Sequence, residues 1–317
     1  MAEMMDIVCE GLRFPEGPVA LADGSVLLVE VAAGLVSRVF PDGRKVVVAR
    51  PGGGPNGLAI GPDGAAYLCN NGGMMWHTTP EGGLMPGMQP ADYSGGRIER
   101  IDLRTGQVRV LYTQGPNGPL RGPNDIVFDA AGGFWFTDMG KQRPNEMDPG
   151  AVYYAKIDGS EIRELISPMI TPNGIGLSPA GDKLYVAESG PARVWAFDLE
   201  GPGQVVPGSV AGRHGGTRLA RLTDGQMLDS LAVDAAGNVC VATLHHGGIT
   251  VVAPDGRSVE HIAMPDSLTT NICFGGADMK TAYITLSLTG RLARVAWAQP
   301  GLKLHWSDKA VPSNVSA

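Results

Sequence analysis

The sequence is poor in charge and has no long hydrophobic run. Charged residues make up 18% of the 317 residues, below the roughly 25% of an average soluble protein. No stretch of about 18 apolar residues is free of glycine, proline or charge, as a membrane-spanning helix would require. Met1–Arg13 also lacks the basic and apolar segments of a signal peptide. The sequence therefore predicts a soluble, unsecreted, cytoplasmic protein without a membrane partner.

Basic residues and cysteines are scarce as well. The chain has 25 Lys and Arg against 32 Asp and Glu, for a net charge of −7. The basic residues are scattered rather than clustered, so we expect no nucleic-acid partner. The four cysteines are far apart and form no C-x-x-C motif: Cys9, Cys69, Cys240 and Cys273. This pattern predicts buried free thiols in a reducing compartment.

Turn-forming residues are abundant by contrast. The chain contains 46 glycines and 24 prolines, about twice the usual share, which argues against a helix-rich fold. They recur in a repeated pattern in which a polar residue, here called the lead, opens a short apolar run. Glycine follows eight residues later in five copies, and a sixth copy is looser. The leads are Glu16, Asn56, Asn124, Asn173, Asp229 and Thr270.

The leads lie between 40 and 68 residues apart, which is the spacing of blades in a propeller. Each copy continues into a second strand, and a second hairpin usually follows. The sequence therefore predicts an all-β fold, a six-bladed β-propeller with four antiparallel strands per blade in a single domain, 1–317. Two segments could supply the outermost strand of the last blade, Asp6–Cys9 or Leu302–Trp306.

In a propeller the first strand of each blade lines the central channel, so the six leads should form a ring at its mouth. All six side chains carry oxygen, and the ring includes two carboxylates that would repel each other unless a cation lay between them. Oxygen ligands favour hard cations. We expect Ca²⁺, with Mg²⁺, Mn²⁺ or Zn²⁺ as alternatives. Asn and Asp at a strand start also commonly cap turns, so this structural alternative stays open.

Motifs around the leads resemble those of the senescence marker protein (regucalcin)/gluconolactonase/luciferin-regenerating-enzyme-like family. They are Phe14-Pro-Glu16-Gly-Pro18, Gly122-Pro-Asn124-Asp-Ile126, Thr171-Pro-Asn173-Gly174, Asp229-Ser-Leu-Ala-Val-Asp234 and Thr270-Asn-Ile-Cys-Phe-Gly-Gly276. The resemblance implies one divalent metal ion in the channel, held by Glu16, Asn124, Asn173 and Asp229. It also implies hydrolysis of a sugar or small organic lactone, with Asp229 as general base or nucleophile. The chain departs from many relatives at Ser230, where they carry glycine.

The connections at the mouth should determine which substrate binds. The longest, 71–95, has no obvious secondary structure, and we predict that it is a lid over the channel. Arg121 resembles an arginine that contacts substrate in sugar-lactonase relatives. The predicted substrate-binding residues are Arg121, Asn56, Trp76, His77, Lys141 and His246. An apolar lid would indicate a substrate less hydroxylated than gluconolactone.

Two other functions remain compatible with the sequence. The same metal site could polarise the phosphoryl oxygen of an organophosphate ester. Alternatively, the propeller could bind a metabolite or a protein without catalysis. For the lactonase we expect a small-molecule substrate and a monomer or weak homo-oligomer.

Overall fold

The chain folds into six four-stranded antiparallel sheets arranged around a central channel. The structure is a computed structural model and describes residues 5–208, 214–222 and 225–309. Strands from neighbouring blades contact each other around the whole ring, and the first strand of each blade packs against the first strand of the next. The predicted six-bladed β-propeller is confirmed.

Strands are numbered in chain order, and each blade is numbered by the order of its innermost strand. Blade 1 comprises β2–β5 (Pro15–Ala20, Val26–Glu30, Leu35–Val39, Lys45–Ala49), and blade 2 comprises β6, β7, β10 and β11 (Pro55–Ile60, Ala66–Asn70, Arg97–Ile101, Val108–Tyr112). Blade 3 comprises β14, β15, β18 and β19 (Pro123–Phe128, Phe134–Asp138, Gly150–Ala155, Ile162–Met169). Blade 4 comprises β20, β21, β22 and β24 (Pro172–Leu177, Lys183–Glu188, Arg193–Gly201, Thr217–Arg221), with β23 (Gln204–Val205) added to β22.

Blade 5 comprises β25–β28 (Met227–Val233, Val239–Leu244, Gly248–Val252, Val259–Ala263), and blade 6 comprises β29–β31 and β1 (Thr269–Gly275, Thr281–Leu286, Arg291–Ala296, Met5–Cys9). Three short hairpins lie in the connections: β8–β9 (Trp76–Thr78, Leu84–Pro86), β12–β13 (Gln114–Gly115, Gly118–Pro119) and β16–β17 (Gln142–Arg143, Glu146–Met147). A 3₁₀ turn spans Val31–Ala33. No helix among the described residues is long and apolar enough to cross a membrane.

The N-terminal strand closes the ring. β1 pairs antiparallel with β31 and so completes blade 6, which settles the choice that the sequence left open. The other candidate segment instead crosses the far end of the channel. It begins with a bridge between Gly301 and Asp234 and reaches blade 3, where Trp306 Nε1 donates to the carbonyl of Asp129 at 2.9 Å.

Side chains of the middle strands alternate between the two neighbouring blades, as the period of a strand requires. In β15, Phe134 and Phe136 pack in a cluster with Tyr67 of blade 2. Trp135, between them, packs with Tyr154 and with residues of blade 4. Both faces of each blade are therefore buried, and close packing of this kind fixes the inner strands in position.

A bulge at the start of the inner strands exposes the lead residues to the channel. In blades 2, 3 and 4, pairing with the second strand stops at the proline before the lead and resumes two residues after the lead. The interruptions are Pro55 to Leu58, Pro123 to Ile126 and Pro172 to Ile175. Blade 5 has the same gap, Leu228 to Leu231. A bulge turns its unpaired residues away from the regular alternation, so we infer that the leads of these four blades face the axis.

Candidate active site in the central channel

Glu16 on β2 is buried and has one oxygen to spare. Its Oε2 accepts hydrogen bonds from the Gly17 amide at 2.7 Å and from Asn271 Nδ2 at 2.8 Å. Asn271 is itself fixed, because its Oδ1 accepts from the Ile272 amide at 2.8 Å. Glu16 Oε1 is buried and has no hydrogen-bond partner.

Asn124 on β14 has a second spare oxygen. Its Nδ2 lies 3.2 Å from Met139 Sδ, and its Oδ1 is buried without a partner. Within the described ranges, Glu16 Oε1 and Asn124 Oδ1 are the two buried side-chain oxygens that lack a partner. Leaving such atoms unpaired is costly, and both belong to leads of the predicted ring.

Asn173 and Asp229 are joined directly. Asn173 Nδ2 donates to Asp229 Oδ1 at 2.6 Å and to Ser189 Oγ at 3.1 Å. Ser230, the residue that departs from the family pattern, donates through Oγ to Asn173 Oδ1 at 3.4 Å. The backbone carbonyl of Asn173 accepts from Thr137 Oγ1 at 2.6 Å. Hydroxyl groups on β15, on β25 and in the turn after β21 thus hold Asn173 in place.

The site concentrates negative charge. Burial raises the pKa of Glu16 well above its usual range, and repulsion from Asp229 raises it further. Burial also raises the pKa of Asp229, with nearby Asp125 adding to the effect, and burial raises the pKa of Asp125 to about 7. None of the ion pairs in the described part of the chain includes these three carboxyl groups.

These residues fit a hard divalent cation. Glu16 Oε1 and Asn124 Oδ1 are free to ligate, and a cation between Glu16 and Asp229 would relieve their repulsion. Among the described residues, no group of three or more His, Cys, Asp and Glu side chains is placed to hold a metal ion by itself, so the candidate set depends on amide oxygens beside two carboxylates. Such a donor set suits Ca²⁺ better than a softer metal.

The sixth lead, Thr270, is directed away from this set. In blade 6 the pairing gap spans a single residue, from Thr269 to Asn271, so Asn271 occupies the position that contacts Glu16. Thr270 Oγ1 lies 2.6 Å from Ser287 Oγ and contributes to a buried hydroxyl cluster. Ser287 donates to the carbonyl of Pro15 at 2.5 Å, directly before Glu16.

Segment 71–95 packs against residues on the connections around the mouth, and its role as a lid stays a prediction. It contains the β8–β9 hairpin, which the sequence did not indicate, and it starts from blade 2. The Trp76 ring lies 4.9 Å from the Phe14 ring of blade 1. The Leu84 amide donates to the Leu288 carbonyl of blade 6 at 3.1 Å, and the Gln89 amide donates to the Gln142 carbonyl of blade 3 at 3.0 Å. The segment is thus attached to three blades besides its own.

Lys141 lies beneath this segment. It is buried, and its Nζ donates to the Gly73 carbonyl at 2.7 Å and to Asn71 Oδ1 at 3.2 Å. The ammonium also lies 5.3 Å from the centre of the Tyr93 ring. Burial lowers the pKa of Lys141 to about 8. These contacts hold the segment to the blade 3 connection, and a direct contact between Lys141 and substrate stays a prediction.

The other predicted substrate residues lie on mouth connections or inner strands. Arg121 and His77 are exposed, and His246 is exposed with Nδ1 2.7 Å from Gln226 Nε2. Asn56 is buried at the lead position of blade 2. Their contacts with substrate remain predictions. Sequence reasoning missed Met139 and Asn271, although Asn271 stands next to a recognised lead.

The far half of the channel is different in character. A cavity of about 410 Å³ lies there, lined by the ends of the inner strands and by 302–305 and 307–308. Ile60, Phe128, Leu177 and Val233 are among the apolar residues of its wall. Asp125 and Asn271 contribute polar groups on the side of the leads. The mouth loops do not reach this cavity.

A family model matches residues 14–288, and its description is SMP-30/Gluconolactonase/LRE-like region. The chain belongs to this family. Among curated proteins, it is 25% identical over 311 residues to a gluconolactonase of Zymomonas mobilis, covering 89% of this chain and 79% of that protein. It is 28% identical over 258 residues to lactonase drp35 of Staphylococcus haemolyticus, covering 81% and 71%.

Solved structures show the same fold. A gluconolactonase from Xanthomonas campestris superposes with a TM-score of 0.72 at 22% identity, covering 93% of this chain and 89% of that one. Regucalcin of Agrobacterium tumefaciens, described as a calcium-binding protein, superposes with a TM-score of 0.70 at 19% identity, covering 92% and 95%. The family resemblance read from the motifs is thereby confirmed.

Proposed function

We propose that this member of the family is a divalent-metal-dependent lactonase, with Ca²⁺ as the expected ion. The observation that carries the proposal is the pair of partnerless buried oxygens, Glu16 Oε1 and Asn124 Oδ1, beside the Asn173–Asp229 pair. Gluconolactonase and lactonase relatives support the choice of a cyclic ester as substrate. The calcium-binding description of the regucalcin neighbour supports the choice of ion.

Glu16, Asn124, Asn173 and Asp229 would hold the ion. When bound, it would polarise the lactone carbonyl as a Lewis acid. Asp229 would remove the proton from the attacking water, or would attack the carbonyl itself. Asn173 Nδ2 orients the Asp229 carboxylate by donating to Oδ1. In either role the ring C–O bond breaks, and the product is the open hydroxy acid.

The two roles of Asp229 differ in the source of oxygen. A single turnover in H₂¹⁸O places ¹⁸O in the product acid if Asp229 activates water. If Asp229 attacks first, it forms a mixed anhydride and releases the ring oxygen as the hydroxyl group; water that then attacks the Asp229 carbonyl carbon leaves ¹⁸O in the Asp229 carboxylate and ordinary oxygen in the first product. Water that attacks the substrate acyl carbon instead labels the product, so ¹⁸O found by mass spectrometry in the peptide around Asp229 is the result that identifies the nucleophilic role.

The proposal is tested with a panel of lactones and phosphotriesters, assayed by acid release after chelation and re-addition of Ca²⁺, Mg²⁺, Mn²⁺ or Zn²⁺. We expect metal-dependent lactone opening. A preference for phosphotriesters would show that the substrate is an organophosphate ester rather than a lactone, acted on at the same metal site. Metal binding without turnover of any compound would favour a non-catalytic binding protein.

The four buried free cysteines support a reducing, cytoplasmic location.

A further inference from the structure

The mouth of the channel carries exposed apolar side chains. Across the described residues, eight large hydrophobic side chains are exposed, and four of them lie on connections at the mouth: Met75 43%, Met88 39%, Met147 47% and Ile170 48%. Of the others, three lie singly on outermost strands and one at the far end of the channel: Ile7, Val110, Val259 and Leu304. Exposed apolar groups gathered at one opening indicate a binding surface.

The three exposed methionines at the mouth lie on segments that are joined by backbone hydrogen bonds. The Met75 amide donates to the Met88 carbonyl at 2.9 Å. The next residue, Gln89, donates to the Gln142 carbonyl at 3.0 Å, and Gln142 pairs with Met147 in the β16–β17 hairpin. The three side chains therefore belong to two adjoining hairpins. We call Met75, Met88 and Met147 the methionine rim.

A fourth methionine, Met139, lies between the connection that carries Met147 and the candidate ligands. Met139 is at the start of the connection that carries Met147, and its Sδ lies 3.2 Å from Asn124 Nδ2. Methionine side chains are flexible and polarisable, and they adapt to apolar groups of differing shape. An alkyl substituent on a lactone held by the candidate ligands would therefore pass beside the Met139 side chain before it reaches the methionine rim.

Two cationic side chains on the connection that carries Met147 are already engaged. Arg143 donates to both oxygens of Asp148 and to Gln89 Oε1, and it pairs with Glu146. Lys141 is bonded to segment 71–95. Recognition of a polyhydroxylated sugar requires donors and acceptors that are free to pair with its hydroxyl groups. Lys141 and Arg143 are therefore not free for that role, whereas the methionine rim offers exposed apolar area.

We propose that the substrate is a lactone bearing an alkyl chain, and that the methionine rim binds this chain. The inference rests on the proposed lactonase function and narrows its substrate class. Each methylene removed from water contributes about 0.8 kcal/mol when fully buried. At a half-exposed rim, we therefore expect kcat/KM to rise about two- to threefold per methylene.

The test uses the Ca²⁺-loaded protein and a series of γ-lactones from γ-butyrolactone to one with an eight-carbon side chain, with glucono-δ-lactone alongside. We expect kcat/KM to increase along the series. In the variant Met75→Ser/Met88→Ser/Met147→Ser, the ratio of long-chain to short-chain kcat/KM should fall toward one. The matched control, Val110→Ser/Val259→Ser, changes exposed apolar residues on outer strands and should keep the wild-type ratio.

A flat series, a preference for glucono-δ-lactone, or an unchanged ratio in the methionine variant would overturn the inference while leaving the lactonase intact. If no lactone is opened, the proposed function fails instead, and calorimetry with 4-hydroxydodecanoate still tests the rim. Binding that strengthens with chain length in wild type, and weakens in the methionine variant, supports it. Analytical sedimentation of both proteins tests one further outcome. If the wild type is a dimer and the methionine variant is a monomer, the rim is a protein interface and the inference is overturned.

Discussion

The two halves of the channel are built from the same six strands but differ in chemistry. At the mouth, the strands begin with Glu16, Asn124, Asn173 and Asp229, and two buried oxygens lack partners. At the far end they finish in residues such as Phe128, and enclose a cavity of about 410 Å³. The spacious half has a mainly apolar wall, and the half at the leads carries the carboxyl groups of Glu16 and Asp229, which repel each other. Charge and unsatisfied oxygens, rather than void volume, therefore locate the candidate chemistry.

The largest predicted difference between the halves is in catalysis. Asp229→Asn keeps the shape of the side chain but removes its base and nucleophile, so we expect kcat/KM for a lactone to fall about 10³-fold or more. Ser307→Ala, at the far end, should leave the rate near wild type. Steady-state assays of acid release measure both. Equal rates in wild type and Asp229→Asn would show that the mouth does not perform this chemistry.

The second largest expected effect is on Ca²⁺ affinity, which should fall only when a residue at the mouth is changed. Glu16→Gln retains one oxygen but loses the charge that attracts a dication, so we expect Ca²⁺ affinity to fall about 100-fold. Glu260→Gln on the outer strand β28 is the matched control and should bind as wild type does. Isothermal titration calorimetry on chelated protein measures both constants, and comparable losses in the two variants would argue against a site at Glu16.

The stability of the metal-free protein should depend on pH, and bound Ca²⁺ should reduce this dependence. The pKa values of Glu16, Asp229 and Asp125 are raised in the folded protein, that of Asp125 to about 7. Protonation of these groups favours the folded state, so this contribution is full below the unfolded pKa of about 4 and is lost as pH rises toward 7 and above. The increase in Tm on adding Ca²⁺ should thus be larger at pH 8 than at pH 5. Calorimetric scans give both values, and an increase that shrinks with pH would contradict the sign.

Changes in the far half should affect stability alone. Val233 is 4% exposed and packs in the core between blades 4 and 5. Val233→Ala should lower the free energy of unfolding by about 1–3 kcal/mol without changing kcat/KM or Ca²⁺ affinity. Urea denaturation measures the loss. A matched loss of activity in the folded variant would show that the two halves are coupled.

Much of the fold follows from the sequence because each blade repeats the same turns and polar lead. The strand that closes the ring could not be predicted from the sequence, because Asp6–Cys9 and Leu302–Trp306 were both suitable. Only the pairing of β1 with β31 distinguishes them. The role of Asn271 was missed for a related reason. The bulge of blade 6 is shorter than those of blades 2–5, and a repeat pattern carries no information on such a local shift.

Side chains that act across blades were harder to predict. Lys141 was expected to contact substrate because it lies on a mouth connection, yet its bonds to Asn71 and Gly73 depend on how a distant segment folds back. The β8–β9 hairpin within 71–95 was not anticipated because that stretch is rich in glycine and proline. Its attachment to blades 1, 3 and 6 is a tertiary property.

Metal-dependent lactone opening at the mouth is the central claim, and one titration tests it most directly. Chelated protein is assayed for lactone hydrolysis while Ca²⁺ is added stepwise. We predict negligible activity without metal and a rise that saturates at about one equivalent of bound ion. Full activity in the chelated protein, unchanged by any added cation, would contradict the account.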